Sequence, residues 1–218
     1  MLTHQIRVAT HGRYLFEPAS SAGRASLLVG FHGYMESAED QMARLRSIPG
    51  VGSWRIASIQ ALNRFYRGRR SQDVVASWMT RQDRELAIAD NQAYVAAVIT
   101  EIGQESGTAP GVVFAGFSQG VAMAFRAACA STAAVLGVIA LGGDVPPELA
   151  APALGRIPTV LLGRGLSDDL YPLAQWDADR ARLLDAGVDT DGFAFDAGHE
   201  WNDTFSRRAG ELLTRVRA

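Results

Sequence analysis

The sequence predicts an α/β fold, a mostly parallel central sheet with helices on both faces, and three observations carry that prediction. First, Leu27–Phe31, Val112–Phe117, Val135–Leu141 and Thr159–Gly163 are continuous apolar runs of strand length. A strand covered on one face alternates apolar and polar residues, whereas a strand buried on both faces is apolar throughout. Second, stretches of helical periodicity alternate with these runs along the chain. Third, Gly116-Phe117-Ser118-Gln119-Gly120 leads from an apolar run straight into an alanine-rich segment. Those residues read as a strand, a one-residue turn and a helix, with Ser118 at the turn.

In chain order, Ile6–Thr10 and Tyr14–Glu17 are short β-type runs around His11-Gly12, as in a hairpin at a sheet edge. His4 and His11 lie in or near it and read as surface residues. Leu27–Phe31 is followed by His32-Gly33-Tyr34, and Ser37-Ala38-Glu39-Asp40 reads as a capping box opening a helix whose apolar side is Met42, Leu45 and Ile48. Arg55–Gln60 is a further strand. Residues 61–84 are the least regular part. Arg64, Arg67, Arg69 and Arg70 with Phe65 and Tyr66 make a basic, aromatic patch there, and with a net charge of -2 it reads as a solvated loop.

From Glu85 to Gly103 the spacing of Leu86, Ala89, Ala93, Ala96 and Ile99 describes one helical face. Ser106–Gly111 breaks it. Gly142–Pro158, with four prolines, reads as a loop across one end of the sheet. A helix from Leu173 to Ala186 closes at Gly187, Phe193-Ala194-Phe195 forms a final strand, and Phe205, Ala209, Leu212, Leu213 and Val216 give the last helix its buried stripe. No linker, repeat or low-complexity tract interrupts the pattern. Residues 1–218 therefore read as a single domain with little sequence left for a large lid.

Composition narrows the function classes. Charged residues are 20% of the chain and hydrophobic ones 48%, ordinary for a soluble protein. The near-neutral charge gives no reason to expect a nucleic-acid partner. The one cysteine, Cys129, has no internal disulfide partner, Met1–Gln5 lacks the layout of a secretory signal, and no apolar run approaches the ~20 residues that cross a bilayer. A cytoplasmic protein without a membrane span is the reading. No His/Cys/Asp/Glu group has metal-ligand spacing and no glycine-rich run has the form of a phosphate cradle, so neither metal nor cofactor is expected. The oligomeric state stays open, a homodimer being one option.

The chemistry is carried by Ser118. G-x-S-x-G between a strand and a helix is the nucleophile elbow of the α/β-hydrolase fold. Side chains at Gly116 or Gly120 would collide with the crossing chain, and the tight turn holds the serine in a strained backbone conformation above a helix N-terminus. A serine hydroxyl needs a base to take its proton and an acid to orient that base, in the chain order Ser, Asp or Glu, His. His199, after the last strand and next to Gly198, is the base. His32 is its one rival, but it precedes the serine. The acid is Asp168 or Asp169, with Asp144 and Asp196 weaker. The oxyanion donors are the backbone N–H groups of Gln119 and Tyr34, the latter on the loop after an earlier strand. Trp78, Met79, Trp201 and Tyr66 are candidate substrate-pocket walls, each with core burial as an equally open reading.

At Phe31-His32-Gly33-Tyr34, Gly116–Gly120, Gly165-Leu166-Ser167-Asp168 and Gly198-His199 the chain resembles the phospholipase/carboxylesterase family of α/β-hydrolases, which includes acyl-protein thioesterases. The resemblance runs from about Leu27 to the last helix. It implies a triad of Ser118, Asp168 and His199, with Asp168 chosen over Asp169 by its spacing from Gly165 and Pro172, and Tyr34 and Gln119 as the oxyanion hole. It implies a cofactor-free serine carboxylesterase acting on small-molecule esters of small to medium acyl chains. Thioesterase or lysophospholipase action, and peptidase or acyltransferase action on the same triad, are the alternatives, ahead of a non-catalytic binding protein. The chain departs from the family pattern at Met35, where glycine is usual, at Arg164, where histidine is usual, and over Ser77–Arg84. These departures bear on the substrate and on the shape of the oxyanion loop.

Overall fold

A computed structural model of the chain describes residues 1–20 and 24–217. Seven strands form one sheet: β1 (Arg13–Glu17), β2 (Leu27–Phe31), β3 (Arg55–Gln60), β6 (Val112–Phe117), β7 (Val135–Leu141), β8 (Thr159–Gly165) and β9 (Asp189–Phe195). Their spatial order is β1-β3-β2-β6-β7-β8-β9, with β1 antiparallel to β3 and every other pairing parallel. The helices are α1 (Ala38–Arg46), α2 (Arg84–Ser106), α3 (Gln119–Ala130), the short α4 (Ala151–Leu154), α5 (Leu173–Asp185) and α6 (Asp203–Val216). A separate hairpin joins β4 (Asn63–Tyr66) to β5 (Val74–Ser77). The fold is the α/β-hydrolase type expected. Among the described residues no helix is long and apolar enough to cross a membrane.

Parallel strands place successive side chains on opposite faces, so one apolar run feeds two cores. Leu27, Val29 and Phe31 of β2 pack with Phe114 of β6 and with Val95, Val98 and Ile102 of α2. Leu28 faces the other way, toward Met42 and Leu45 of α1 and Phe205 and Leu212 of α6. Helices α2, α3, α4 and α5 thus cover one face, and α1 and α6 the other. The capping box at α1 forms as the sequence indicates: the Ser37 side chain accepts from the Asp40 N–H, and the Asp40 carboxylate accepts from the Ser37 N–H at 2.8 Å.

Four sequence expectations need correction. Ile6–Thr10 forms no strand, and Ile6 and Val8 are exposed. The backbone at the start of β1 is satisfied elsewhere: Tyr94 OH accepts from the Arg13 N–H at 2.8 Å and donates to the Arg13 carbonyl at 2.7 Å, while β1 pairs with β3. The stretch read as an irregular loop holds the β4–β5 hairpin, whose four-residue strands are too short to give a periodic signal. Gly142–Pro158 contains α4. Most instructively, the buried face of α2 is Ile88, Asn91, Val95, Val98 and Ile102, while Leu86, Ala89, Ala93 and Ala96 point to solvent. Both stripes have helical spacing, but β-branched residues remove more apolar area from water than alanines, and that area decides which stripe is buried. Accordingly Ile102→Ala should destabilise by about 2–5 kcal/mol in urea unfolding. Leu86→Ala should change stability by less than about 0.5 kcal/mol. Equal effects would restore the alanine-rich face.

Candidate active site

Ser118 sits between β6 and α3 with φ 52 and ψ -123, a region that L-residues seldom enter. Its N–H is held by the Leu141 carbonyl at 2.9 Å, and its side chain does not cap α3. The turn closes because two flanking positions lack side chains. A Cβ on Gly116 would strike the Gly120 backbone, and one on Gly120 would strike the Phe31 and His32 carbonyls at the end of β2. Helix α3 therefore starts in contact with the loop after β2. That loop carries the second suspected oxyanion donor.

The residues suspected from sequence converge here unevenly. His199, after β9, is half-buried, and its Nδ1 hydrogen-bonds Asp168 Oδ2 at 2.9 Å. A carboxylate only accepts, so Nδ1 carries the proton and Nε2 is left as the basic nitrogen. Asp168 is buried, and its other oxygen accepts the Leu170 and Tyr171 N–H groups at 2.9 and 3.0 Å. Asp169, Asp144 and Asp196 are exposed. The choice that spacing left open between Asp168 and Asp169 thus falls, in geometry, on Asp168. Glycine at 142 (φ 67) lies between the parts: a Cβ there would come within 3.1 Å of His199 and 3.3 Å of Asp168 Oδ2. Its neighbour Gly143 lies against the Ser118 carbonyl. Among the described residues Ser118 Oγ has no hydrogen-bond partner.

The backbone N–H groups of Gln119 and Tyr34 have no protein acceptor among the described residues, whereas their surroundings are firmly tied. Gln119 reaches the strap after β5, accepting the Trp78 N–H at 2.9 Å and donating to the Met79 carbonyl at 3.2 Å. Met35 takes φ 59, the left-handed region that glycine enters freely, and donates its N–H to the Ala76 carbonyl at 3.1 Å. His32 is fully buried. Its Nδ1–H donates to the Gly33 carbonyl at 2.7 Å and its Nε2 accepts the Ala61 N–H at 3.1 Å. It is a structural histidine, and burial holds it below the ordinary histidine range.

The expected pocket walls fare differently. Trp78 has 0% exposure, packs edge-on against Phe31 with centroids 5.5 Å apart, and donates Nε1–H to the His32 carbonyl at 2.8 Å. Of the two readings left open for it, burial is the one its surroundings favour, since its surface is spent on the core and on supporting the loop after β2. Trp201 is half-buried, T-shaped on Phe205 at 4.7 Å, with Nε1 on Ser206 Oγ at 2.9 Å. Met79 is half-buried and Tyr66 exposed. Among the described residues no cluster of His, Cys, Asp and Glu is arranged to hold a metal ion.

Sequence reasoning noticed Arg164 as a departure without seeing its use. Its buried guanidinium donates to the carbonyls of Tyr171 (2.8 Å), Asp168 (3.2 Å) and Leu166 (3.4 Å), so one side chain gathers the loop that presents Asp168. Tyr171 OH then donates to Asp179 Oδ2 at 2.9 Å, which also accepts the Val145 N–H at 3.1 Å and so ties this loop to the one after β7. An arginine near the end of a buried strand would ordinarily read as reaching the surface, and only its carbonyl partners, which follow no pattern the sequence displays, reveal the role.

The phospholipase/carboxylesterase family profile matches residues 72–211, well over half of the chain, and the protein belongs to that family. Solved structures of similar fold include the Bacillus cereus carboxylesterase (15% identity, 94% of each chain, TM-score 0.75). A Mesorhizobium loti carboxylesterase (19% identity, 93% of this chain and 94% of that one, TM-score 0.76) is also similar. So is Zea mays acyl-protein thioesterase 2 (16% identity, 94% of this chain and 99% of that one, TM-score 0.74). At these identities the likeness is one of fold. A search of curated proteins gave no match. The chain is thus an α/β-hydrolase of the phospholipase/carboxylesterase type.

His32 makes the site sensitive to acid. Burial lowers the pKa of this imidazole in the folded state below the unfolded value of about 6.5, so the stability it contributes is present above that pH and falls as pH drops below it. Urea unfolding at pH 5.5 should give a lower stability than at pH 7.5, by no more than about 1.4 kcal/mol from this one group, and His32→Gln should flatten that difference. An unchanged slope in the variant would contradict the assignment.

Proposed function

We propose that this protein is a serine hydrolase that cleaves carboxylic esters of small to medium acyl chains through an acyl-enzyme, with a small-molecule ester as substrate. The observation that carries the reading is the 2.9 Å hydrogen bond from His199 Nδ1 to the buried Asp168, beside a serine held at positive φ. The Ser118 Oγ–H bond is weakly acidic, so attack on a carbonyl carbon requires the proton to leave as the new C–O bond forms. His199 Nε2 takes that proton. Asp168 fixes the tautomer and stabilises the imidazolium that results.

Carbonyl attack converts the substrate oxygen into an oxyanion, and the N–H groups of Gln119 and Tyr34 receive it. Each such donor contributes about 3 kcal/mol of transition-state stabilisation because it is fixed before charge develops. Collapse of the tetrahedral intermediate expels the alkoxide, which takes the proton from His199 and leaves as alcohol. Water, deprotonated by His199 in turn, attacks the acyl-Ser118 ester and releases the acid. Thioesters follow the same steps with a thiol as leaving group.

Ser118→Ala should abolish p-nitrophenyl acetate turnover, a loss on the order of 10⁶ in kcat. Asp168→Asn should lower the rate by about 10⁴ through the wrong imidazole tautomer, and Asp169→Asn should leave it nearly unchanged. Unchanged turnover in Ser118→Ala would sink the reading, and a reversed aspartate result would move the acid.

A further inference from the structure

One cation lies inside the packing around the site without a part in the chemistry above. Arg44 of α1 has a side chain only 18% exposed, and its guanidinium forms two parallel hydrogen bonds to Glu36, Nη1 to Oε2 at 2.7 Å and Nη2 to Oε1 at 2.5 Å. The same Glu36 Oε2 accepts the Gly33 N–H at 2.7 Å. The guanidinium also lies 4.2 Å over the centroid of Phe117, the residue before Ser118, and the Phe117 ring is 5.0 Å from the His199 ring. One planar group therefore touches both the loop after β2 and the ring that packs on His199.

The loop contacts bear on the direction of one bond. The Gly33 carbonyl is held by His32 Nδ1–H, and the Gly33 N–H is held by Glu36. In a trans peptide the N–H lies opposite the carbonyl, so fixing the Gly33 carbonyl fixes the direction of the Tyr34 N–H. Glu36 is itself pinned at its backbone, where its carbonyl accepts the Ala76 N–H at 2.9 Å. Its carboxylate stays in place because Arg44 forks onto both oxygens, a geometry that an ammonium cannot reproduce, and only a planar cation can fork on a carboxylate while stacking on an aromatic ring. A pair serving only to fasten α1 to the surface would need neither the Gly33 amide nor the Phe117 face.

We propose that Arg44 and Glu36 are positioning residues that hold the Gly33 amide, and with it the loop that presents the Tyr34 N–H, and, through Phe117, the His199 ring in register with Ser118. This rests on the serine-hydrolase reading. Neither residue touches the reacting atoms, and both act through neighbours. Because misplacement of a fixed donor or base lowers the transition state's stabilisation more than ground-state binding, the signature is a fall in kcat with little change in KM.

The experiment is steady-state kinetics on p-nitrophenyl acetate for Arg44→Met, Arg44→Lys, Glu36→Gln and the Arg44→Met/Glu36→Gln double variant, with thermal unfolding of each. Arg44→Met should lower kcat about 10- to 100-fold with KM within about two-fold. Arg44→Lys, although still charged, should recover less than about a third of the lost rate, since it cannot both fork and stack. The double variant should be no slower than Arg44→Met alone, because the two residues act as one unit. A kcat for Arg44→Met within about two-fold of wild type, full rescue by lysine, or multiplied losses in the double variant would each overturn the proposal. If Arg44→Met does not fold, Arg44→Lys and Glu36→Gln decide on the same criterion. Wild-type turnover that is absent or survives Ser118→Ala removes the hydrolase reading itself. Ser118-dependent turnover indifferent to Arg44 removes this inference alone.

Discussion

The closeness of α3 to the ends of β2 and β6 governs the rest of the site. With glycine at 116 and 120 the helix backbone comes into contact with the Phe31 and His32 carbonyls, a distance that no side chain permits. From this follow the positive φ of Ser118, the start of α3 at Gln119, and the emergence of the segments carrying Gln119 and Tyr34 from the ends of neighbouring strands. The strain at Ser118 persists because buried strands on both sides over-determine it, with β2 and β7 paired to β6 along most of its length. A packing constraint between backbones thus sets the geometry on which the proposed chemistry draws.

Around that crossing, loops that would otherwise be mobile are tied by single polar side chains whose partners are backbone groups. Arg164 gathers three carbonyls of the Asp168 loop, Gln119 clamps the strap after β5, and His32 bridges the loop after β2 to Ala61. Buried polar groups of this kind are costly unless satisfied, and when satisfied they select one loop conformation. A hydrophobic contact would contribute stability without that directional choice. The exposed ion pairs, such as Arg13 with Glu39 and Arg208 with Glu211, belong to a different category in which solvent screening leaves little net effect.

The strands of the sheet were legible because each doubly buried strand is a continuous apolar run, and the chemistry-bearing loops because they follow such runs. The candidate nucleophile Ser118 and base His199 were read on that basis, which narrowed the acid to Asp168 or Asp169 and left the choice between them to the family resemblance. What escaped the sequence was long-range. The face of α2 depended on the area buried by Ile88, Val95, Val98 and Ile102, which two competing helical stripes did not disclose. The run Ile6–Thr10 pairs with no strand, and the backbone of Arg13 is satisfied by Tyr94, 81 residues away, a contact no local pattern signals. The role of Trp78 depended on how deeply the β5 strap sits, and the partners of Arg44 and Arg164 follow no sequence period. Local rules reported elements, and tertiary contacts decided faces and partners.

The most direct test of the central claim is covalent labelling by a fluorophosphonate, which reacts with a serine only where a base removes its proton and donors stabilise the phosphoryl oxygen. Intact mass and peptide mapping should show a single adduct on Ser118, lost when His199 is replaced by alanine. No adduct on the wild-type protein, or an adduct on another residue that is indifferent to His199, would contradict the account.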